Sequence, residues 1–188
     1  MSDKTVVVIP AFNEAEHIQE VIGEIGSIGV VDDVIVVDDA STDDTVAKVE
    51  KTDAILVQND QNRNYGGAIK QGYDKSFELN ADIIIRLDAD GQHNPGDIRR
   101  FYDQLQNPNC QYVAGNRFED PDYRTEMPYD RLFGNRIVAL VTSIRCGQWI
   151  ADPPCGYRAM DTTYLTRTPY QNFSNDFKIG VEELLAFN

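Results

Sequence analysis

The stretch Ile83-Ile84-Ile85-Arg86-Leu87-Asp88-Ala89-Asp90 is a mostly apolar run that leads into two acidic residues, Asp88 and Asp90. Its apolar part has the length and composition of a strand buried on both faces. Shorter β-branched runs of the same kind are Val6-Val7-Val8-Ile9 and Val34-Ile35-Val36-Val37. Because both faces of such strands must be covered, we expect them to belong to a mostly parallel sheet.

Segments with helical periodicity separate these strands. The apolar residues of 18–25 recur at helical spacing, and Asn13 followed by Glu16 matches a capping box at the start of that helix. Further helices are predicted at 42–49, 66–77 and 98–105, and further strands at 54–57 and 112–114. Strands that alternate with helices in this way predict an α/β fold, in which helices flank a mostly parallel sheet.

Length and composition limit the possible functions. The chain has 188 residues, 41% of them hydrophobic, so it is long enough to bury the core of one domain. Lysine and arginine total 17 against 31 aspartate and glutamate, which gives a net charge of −14. Such a surface repels nucleic acid, so nucleic-acid binding is disfavoured. An anionic ligand needs a cation or a cluster of arginines in order to bind here.

The sequence pattern changes after residue 118. Residues 119–130 are polar and contain proline, which predicts a mobile loop, and a longer helix follows from about residue 133 to residue 144. A further helical pattern over residues 179–187 reaches the end of the sequence without a capping residue. We therefore expect a domain cut from a longer protein, truncated on its C-terminal side.

Neither the cysteines nor the hydropathy pattern indicates secretion. Cys110, Cys146 and Cys155 are too few for a disulfide framework and their spacing fits no zinc motif, so a reducing compartment is expected. The N-terminus lacks the layout of a signal peptide. No run approaches the ~20 apolar residues of a spanning helix. We predict a cytoplasmic chain with at most peripheral contact with the cytoplasmic face of a membrane.

Polar residues gather after three of the predicted strands, where open parallel sheets bind their ligands. Asp88 and Asp90 are spaced i and i+2, so on an extended chain their Cα atoms lie about 6.5 Å apart and their side chains point the same way. Such a pair suits one hard cation, Mg²⁺ or Mn²⁺, and Gln92 can add a neutral oxygen ligand. The alternative is that Asp88 caps the following turn and Asp90 is a solvated loop charge.

Asp38 and Asp39 end the second predicted strand. An acidic residue at this position can accept hydrogen bonds from a ribose hydroxyl or from a base N–H group. The alternative is that one of the two residues caps the following helix. A dinucleotide fold and a P-loop are disfavoured, because neither of their glycine-rich motifs follows the first strand.

These residues together resemble a family 2 glycosyltransferase with the GT-A fold, and within it the dolichol-phosphate mannose synthase and polyprenyl-phosphate sugar transferase branch. The matching motifs are Pro10-Ala11-Phe12-Asn13-Glu14, Val37-Asp38-Asp39-Ala40-Ser41-Thr42-Asp43, Asn64-Tyr65-Gly66-Gly67-Ala68, Leu87-Asp88-Ala89-Asp90-Gly91-Gln92-His93, Gly115-Asn116-Arg117-Phe118, Arg131 with Gly134-Asn135-Arg136, and Asp152-Pro153-Pro154-Cys155-Gly156-Tyr157-Arg158-Ala159. The resemblance implies a GT-A, Rossmann-like sheet flanked by helices, with a smaller acceptor-side segment.

The resemblance also implies roles for single residues. It assigns the nucleotide-sugar donor to residues at the strand ends: Pro10, Phe12, Glu14, Asp38, Asp39, Asp88 and Ala89. It assigns a Mg²⁺ or Mn²⁺ ion to Asp88, Asp90 and Gln92, and gives Asp90 a catalytic role through that ion. It places Arg117 and Arg131 against the diphosphate or against an acceptor phosphate.

The general base depends on the acceptor. A polyprenyl phosphate oxygen is already nucleophilic, whereas a sugar hydroxyl needs a base within hydrogen-bonding reach. Asp152, which opens the acceptor-side motif, is the first candidate for a catalytic base, and Glu182 or Glu183 is the second. The alternative for Asp152 is a turn residue before Pro153-Pro154.

The resemblance thus implies a metal-dependent, inverting glycosyltransferase with a UDP- or GDP-sugar donor and a polyprenyl (dolichyl) phosphate acceptor. Residues 1–118 would form the nucleotide-sugar-binding half of a single domain, and residues 119–188 its acceptor-side half. Two alternatives stay open: a nucleotide-sugar-binding module or inactive fragment, and a sugar nucleotidyltransferase. The nucleotidyltransferase is disfavoured because its glycine-rich, arginine-bearing loop is missing after the first strand.

Overall fold

A computed structural model describes residues 3–119 and 129–186. Six strands in these ranges form one sheet. They are β1 (Thr5–Ala11), β2 (Asp33–Asp38), β3 (Ile55–Gln58), β4 (Ile83–Arg86), β5 (Tyr112–Ala114) and β6 (Arg158–Asp161). Their order across the sheet is β3-β2-β1-β4-β6-β5, so each of the apolar runs found in the sequence is an inner strand.

Helices flank this sheet, as the alternating pattern predicts. Those in the described residues are α1 (Ile18–Gly26), α2 (Thr45–Val49), α3 (Tyr65–Glu78), α4 (Ile98–Leu105), α5 (Tyr129–Cys146), α6 (Thr162–Arg167) and α7 (Ile179–Leu185). Short 3-10 turns lie at Pro95–Asp97, Arg117–Glu119 and Tyr170–Asn172. Strands and helices alternate along most of the chain, which confirms the predicted α/β class.

The pairing of the strands decides where the polar residues meet. β1 pairs in parallel with β2 on one side and with β4 on the other. In this register Ala11 lies beside Asp38, and Val8 lies beside Arg86. The carboxyl ends of three strands therefore reach the same edge of the sheet. β6 runs antiparallel between β4 and β5, so the sheet is mixed on that side.

Apolar side chains fill both faces of the sheet. Val7 and Ile9 pack with α1 and α4 on one face, whereas Val6 and Val8 pack with α3 and α7 on the other. All four side chains are fully buried, and burial of each stabilises the fold by about 1.5–3 kcal/mol relative to exposure. The close approach of α3 requires Gly72, because a Cβ at that position would overlap Val8.

The first helix begins later than the sequence predicts, so the capping-box prediction is wrong. α1 starts at Ile18, and Asn13 lies outside it with a positive φ of 59°. The side-chain oxygen of Asn13 instead accepts a hydrogen bond from the backbone N–H of Thr42 at 2.8 Å. This contact joins the loop after β1 to the loop after β2, and it takes the place of a local cap.

Periodicity does not predict β6 and α6. β6 has a charged residue at each end, Arg158 and Asp161, with two apolar residues between them, which is too short for a strand signal. Residues 120–128 of the predicted loop lie outside the described residues, and Tyr129 and Asp130 belong to α5. The division of the chain into two halves near residue 118 stays a prediction.

Helix α5 has an exposed apolar side. Phe133, Ile137, Leu140, Val141 and Ile144 are all exposed, and their spacing puts them on one side of the helix. We call these five residues the apolar face of α5. Within residues 3–119 and 129–186, no helix has both the length and the hydropathy that crossing a bilayer requires.

Candidate active site

A cavity of about 420 Å³ opens at the carboxyl ends of β1, β2 and β4. It brings together seven of the residues assigned from the sequence: Pro10, Phe12, Glu14, Asp39, Asp88, Ala89 and Asp90. The rest of its lining is Ala11, Asn62, Asn64, Tyr65, Ala68, Asp176 and Phe177. We call it the strand-end cavity. Its position agrees with the rule that open parallel sheets bind ligands beyond the carboxyl ends of their strands.

Asp39 forms part of the wall of this cavity. Its Oδ1 accepts hydrogen bonds from the Asn59 side chain and from the backbone N–H of Arg63, both at 2.8 Å. Asp38 does not line the cavity, since its side chain is fully buried. Its Oδ2 accepts from the backbone N–H of Ser41 at 3.3 Å, and its Oδ1 has no hydrogen-bond partner among the described residues. A donor-binding role for Asp38 stays a prediction.

Asp88 is held by two side chains, one on each oxygen. Tyr65 OH donates to Oδ1 at 2.6 Å, and His93 Nε2 lies 3.1 Å from Oδ2. Burial by itself raises the pKa of Asp88. The net pKa is nevertheless below its ordinary value, because of the hydrogen bond and charge of His93, the hydrogen bond of Tyr65 and the charge of Arg86. Asp88 is therefore an anion at neutral pH.

Glu14 and Asp90 add two more carboxylates to the strand-end cavity. Asp90 accepts a hydrogen bond on Oδ1 from the backbone N–H of Gln92 at 3.0 Å. The pKa of Glu14 is raised, first by burial and then by negatively charged neighbours that include Asp90 and Asp88. Glu14 is thus close enough to both aspartates to be repelled by them, and a bound cation would offset this excess of negative charge.

The donor set fits a hard divalent cation. The carboxylate oxygens of Asp88 and Asp90 are ligands that Mg²⁺ and Mn²⁺ prefer. In the described part of the chain, no group of three or more His, Cys, Asp or Glu side chains could hold a metal ion by itself. A bound ion would therefore share this pair with ligands from outside the protein, such as phosphate oxygens or water. Gln92 is exposed and lines a neighbouring cavity, so its role as third ligand stays a prediction.

That neighbouring cavity has a volume of about 540 Å³. We call it the polar cavity, and its lining is Gln92, His93, Asn94, Asp97, Arg100, Phe101, Gln104, Val113, Ala114, Gly115, Asn116, Arg117, Glu119, Cys155 and Tyr157. His93 lines the polar cavity and contacts Asp88, which lines the strand-end cavity. The two side chains therefore form part of the wall between the cavities.

Arg117 lines the polar cavity and is fixed there by Asp152. Its Nε donates to Asp152 Oδ2 at 2.8 Å, its Nη2 donates to Oδ1 at 2.9 Å, and its backbone N–H donates to Oδ2 at 3.1 Å. The side chain of Asp152 is fully buried. Both of its oxygens are engaged by one guanidinium group, so this geometry favours the holding of Arg117 over proton transfer as the role of Asp152.

Three further predicted residues remain to be placed. Arg131 belongs to α5, but its side chain lies outside the described residues. Glu182 accepts hydrogen bonds from the backbone N–H of Ser174 at 2.6 Å and from its hydroxyl at 3.0 Å. Glu183 is fully buried and pairs with Arg86. Neither glutamate lines the strand-end cavity or the polar cavity.

Sequence reasoning misses the aromatic wall of the strand-end cavity. The rings of Tyr65 and Phe177 stack with centroids 4.7 Å apart, and Phe177 is 77% exposed. Tyr65 lies within the glycine-containing motif that opens α3, which is a weak signal. Phe177 is a single aromatic residue in a polar segment, and no periodicity marks it.

Solved structures share this fold. The glucosyl-3-phosphoglycerate synthase of Mycobacterium tuberculosis in complex with UDP superposes with a TM-score of 0.76 at 23% identity, over 97% of this chain and 64% of that chain. The same enzyme with Mn²⁺, UDP-glucose and phosphoglyceric acid gives a TM-score of 0.71 at 23% identity, again over 97% of this chain and 64% of that chain. This likeness confirms the predicted GT-A fold.

Proteins named for sugar transfer to lipid phosphates are similar to this chain in sequence. A UDP-N-acetylglucosamine–dolichyl-phosphate N-acetylglucosaminyltransferase of Methanococcus voltae is 31% identical over 183 residues, which cover 88% of this chain and 72% of the relative. The polyprenol monophosphomannose synthase of Mycolicibacterium smegmatis is 26% identical over 164 residues, which cover 84% of this chain and 62% of that relative. The dolichol-phosphate mannosyltransferase of Pyrococcus furiosus is 28% identical over 169 residues, which cover 84% of this chain and 46% of that relative. The chain spans about half to three quarters of the length of these relatives.

A sequence profile gives the family itself. The profile described as Glycosyl transferase family 2 matches residues 6–168. This range contains the Asp88–Asp90 pair of the strand-end cavity and the Arg117–Asp152 pair beside the polar cavity. It also contains all seven motifs that carry the resemblance. The chain therefore belongs to glycosyl transferase family 2.

Proposed function

We propose that this chain holds the site of a metal-dependent, inverting glycosyltransferase. The donor would be a nucleoside-diphosphate sugar that leaves UDP or GDP, and the acceptor would be a polyprenyl (dolichyl) phosphate. The observation that carries the proposal is the meeting of Asp39, Asp88 and Asp90 at one edge of the sheet, beside a cavity that Arg117 lines. The names of the relatives from M. voltae and M. smegmatis support a lipid-phosphate acceptor.

The strand-end cavity offers separate surfaces for the parts of a donor. Pro10 and Phe12 provide an apolar surface for a base, and the ring of Phe12 is exposed. Asp39 provides a carboxylate of fixed orientation for ribose hydroxyl or base N–H groups. The sugar would extend from the diphosphate towards the wall formed by Asp88 and His93.

Asp88 and Asp90 would hold the Mg²⁺ or Mn²⁺ ion. When bound, such an ion neutralises the charge that develops on the leaving diphosphate. A chain with a net charge of −14 would otherwise repel a doubly negative donor. Tyr65 and His93 orient the Asp88 carboxylate, as neighbours of metal ligands commonly do.

The polar cavity suits a phosphate acceptor. Arg117 and Arg100 both line it, and guanidinium groups recognise phosphate well. A phosphate oxygen attacks without losing a proton, so the protein needs to orient it rather than to deprotonate it. The engagement of Asp152 by Arg117 agrees with an acceptor that needs no base. In this arrangement a phosphate oxygen in the polar cavity would attack a sugar held in the strand-end cavity. This supports a single displacement, which inverts the configuration of the anomeric carbon.

A lipid-phosphate acceptor would bring the site to the cytoplasmic face of a membrane. The apolar face of α5 supports peripheral contact of this kind. Because the chain carries a net charge of −14, we expect apolar contact rather than attraction to anionic lipids to dominate. Ile144→Asp should reduce co-sedimentation with phosphatidylcholine vesicles, whereas Gln61→Asp adds the same charge in an exposed loop and should not. Equal binding of both variants would contradict this membrane contact.

A transfer assay tests the proposed reaction. The chain is incubated with Mn²⁺, dolichyl phosphate in detergent, and labelled UDP-N-acetylglucosamine or GDP-mannose, and the label extracted into organic solvent is counted. Lipid-linked product that requires Mn²⁺ and has the opposite anomeric configuration by NMR is the expected result. Nucleotide binding without any product would indicate a binding module, and nucleotide-sugar formation from a nucleoside triphosphate would indicate a nucleotidyltransferase.

A further inference from the structure

Among the described residues, one group of fully buried charged side chains lies where β4, β6 and α7 meet: Arg86 of β4, Arg158 of β6 and Glu183 of α7. Burying an unpaired charge is strongly unfavourable, so such groups need partners. Arg86 Nη1 donates to Glu183 Oε1 at 2.8 Å. A buried ion pair adds little stability compared with apolar packing of the same volume. Its presence therefore points to a role other than stability.

Two tyrosine hydroxyls complete this group. Tyr73 OH donates to Glu183 Oε1 at 2.7 Å and accepts from Arg86 Nη1 at 2.8 Å. Tyr112 OH donates to Glu183 Oε2 at 3.1 Å and accepts from Arg158 Nη1 at 3.0 Å. We call these five residues the buried ion cluster. Glu183 lies at its centre, because its two oxygens are held from different sides.

The buried ion cluster reaches the strand-end cavity through the backbone of Gly156. Arg86 Nε donates to the Gly156 carbonyl oxygen at 3.1 Å. A Cβ at Gly156 would overlap the carboxylate of Asp88 and lie 2.8 Å from the hydroxyl of Tyr65. The backbone that Arg86 holds is therefore the surface against which the Asp88 carboxylate rests.

A second connection runs along α3. Tyr65, at the start of this helix, donates to Asp88 at 2.6 Å, and Tyr73, about two turns later, donates to Glu183 at 2.7 Å. One end of this stretch of helix is thus tied to the cavity and the other to the buried ion cluster. Displacement of Glu183 would disturb Asp88 by both connections.

We propose that Glu183 is a positioning residue for Asp88 and that it acts through Arg86 and the Gly156 carbonyl. The inference rests on the proposed function, because it concerns how the same carboxylate is held for a cation. Glu183 is fully buried, so it does not itself contact a donor or an acceptor. A neutral side chain at this position would leave two buried guanidinium groups without their anion, and we expect Arg86 then to release the Gly156 carbonyl.

The adjacent residue provides a matched control. Glu182 lies on the same helix, but its carboxylate accepts hydrogen bonds from the backbone and the hydroxyl of Ser174. Glu182→Gln and Glu183→Gln make the same chemical change one residue apart. A role in local stability would affect the melting temperature of either variant, whereas a positioning role would affect metal binding only at Glu183.

The first measurement is Mn²⁺ binding by EPR to the full 188-residue chain in the presence of UDP, with GDP in a parallel series. We expect Glu183→Gln to bind Mn²⁺ about tenfold more weakly than the unmodified chain, the low end of the loss seen when direct partners of metal ligands are removed, because Glu183 acts on Asp88 through Arg86. Glu182→Gln should match the unmodified chain. Equal Mn²⁺ affinity of the two variants would overturn the positioning role of Glu183.

Hydrogen exchange of the ligand-free protein separates this inference from the proposed function. We expect faster amide exchange over residues 87–93 and 153–157 in Glu183→Gln, and not in Glu182→Gln. Unchanged exchange over residues 87–93 in Glu183→Gln would overturn the inference. If the unmodified chain binds no Mn²⁺ with either nucleotide, the proposed function fails, and the exchange data still decide whether Glu183 positions Asp88.

A milder pair of variants serves if Glu183→Gln does not fold. Tyr73→Phe removes the hydroxyl that contacts both Arg86 and Glu183, whereas Tyr112→Phe removes the one that contacts Glu183 and Arg158. Tyr73→Phe should speed exchange over residues 87–93 more than Tyr112→Phe does. Equal effects, or the opposite order, would contradict a route through Arg86.

Discussion

Asp88 and Asp90 are separated by one residue, yet their surroundings differ. Asp88 has a side-chain partner on each oxygen, Tyr65 on one and His93 on the other. Asp90 accepts one hydrogen bond, from the backbone N–H of Gln92. Hydrogen bonds therefore constrain the orientation of the Asp88 carboxylate more strongly than that of the Asp90 carboxylate.

Asp90→Asn should lower Mn²⁺-dependent transfer by at least about 100-fold, a loss typical of removing a group that stabilises developing charge. The amide keeps the size of the side chain and removes one of the carboxylates that repel each other, so the melting temperature of the ligand-free protein should not fall. Asp103→Asn is the control, because Asp103 is exposed and pairs with Arg99 on the surface of α4. Similar losses of transfer in both variants would argue against a role for Asp90 in binding a cation.

His93→Ala should destabilise the ligand-free protein more at neutral than at acidic pH. The pKa of Asp88 is lower in the folded protein than in the unfolded chain, where it is about 4. The Asp88 anion therefore stabilises the folded state above about pH 4, and this stabilisation is lost as the pH falls through the pKa of the folded state. Removing His93 removes one cause of this shift, and the free energy of unfolding should fall by about 1–2 kcal/mol at pH 7. The difference in the free energy of unfolding between the unmodified chain and His93→Ala should become smaller below about pH 4.

Urea unfolding at several pH values measures this difference. The ring of His93 also packs against Tyr157, with centroids 5.1 Å apart. A loss of stability that is the same at every pH would therefore assign His93 to packing rather than to holding the Asp88 anion.

At the scale of elements, β4 shows what a sequence can and cannot predict. Its three isoleucines mark a buried strand, and the structure confirms it. Arg86 interrupts the same run, and its partner Glu183 lies 97 residues later in the chain. A periodic pattern reports which face of an element is buried, but it holds no information about a partner so distant in sequence.

The residues of the candidate site likewise fall into those that the sequence can predict and those that it cannot. Asp39, Asp88 and Asp90 could be predicted because parallel neighbouring strands bring their carboxyl ends to one edge. Phe177 comes from an irregular segment before α7, where only the tertiary fold decides position. Asp152 could be found by its motif, but its engagement by Arg117 could not, because the two residues are 35 positions apart and neither lies in a periodic element.

Gly156→Ala should destabilise the protein by about 1–3 kcal/mol, because the new methyl group overlaps the Asp88 carboxylate. Mn²⁺ binding should weaken with it, since Asp88 must move. Gly23→Ala is the control, because a Cβ at this helical position has nothing within 4 Å. That variant should gain about 0.5–1 kcal/mol in the free energy of unfolding. Urea unfolding measures both, and a stable Gly156→Ala variant with unchanged Mn²⁺ affinity would contradict the contact.

At the scale of the whole molecule, charge opposes folding. The net charge of −14 is large for 188 residues, and mutual repulsion of the acidic groups destabilises the compact state. The strand-end cavity concentrates part of this repulsion in one place, because five acidic residues line it: Glu14, Asp39, Asp88, Asp90 and Asp176. Screening by salt should therefore stabilise the ligand-free protein.

Raising NaCl from 0.1 M to 1 M shortens the screening length from about 10 Å to about 3 Å. We expect the melting temperature to rise by several degrees, since 1 kcal/mol corresponds to about 2–4 °C for a chain of this size. Differential scanning calorimetry measures the shift, and sucrose of equal osmolality controls for effects that are not electrostatic. A melting temperature that is insensitive to NaCl would mean that local pairing already cancels the repulsion.

The wall between the two cavities has a thermodynamic consequence. His93 lines the polar cavity and touches Asp88, which lines the strand-end cavity. A molecule in the polar cavity that attracts the imidazole of His93 weakens the contact between that imidazole and the Asp88 carboxylate. Linkage then requires reciprocity: whatever the first molecule does to the affinity for the second, the second does equally to the affinity for the first. One side chain shared by two cavities thus makes their occupancies interdependent, without any movement of the sheet.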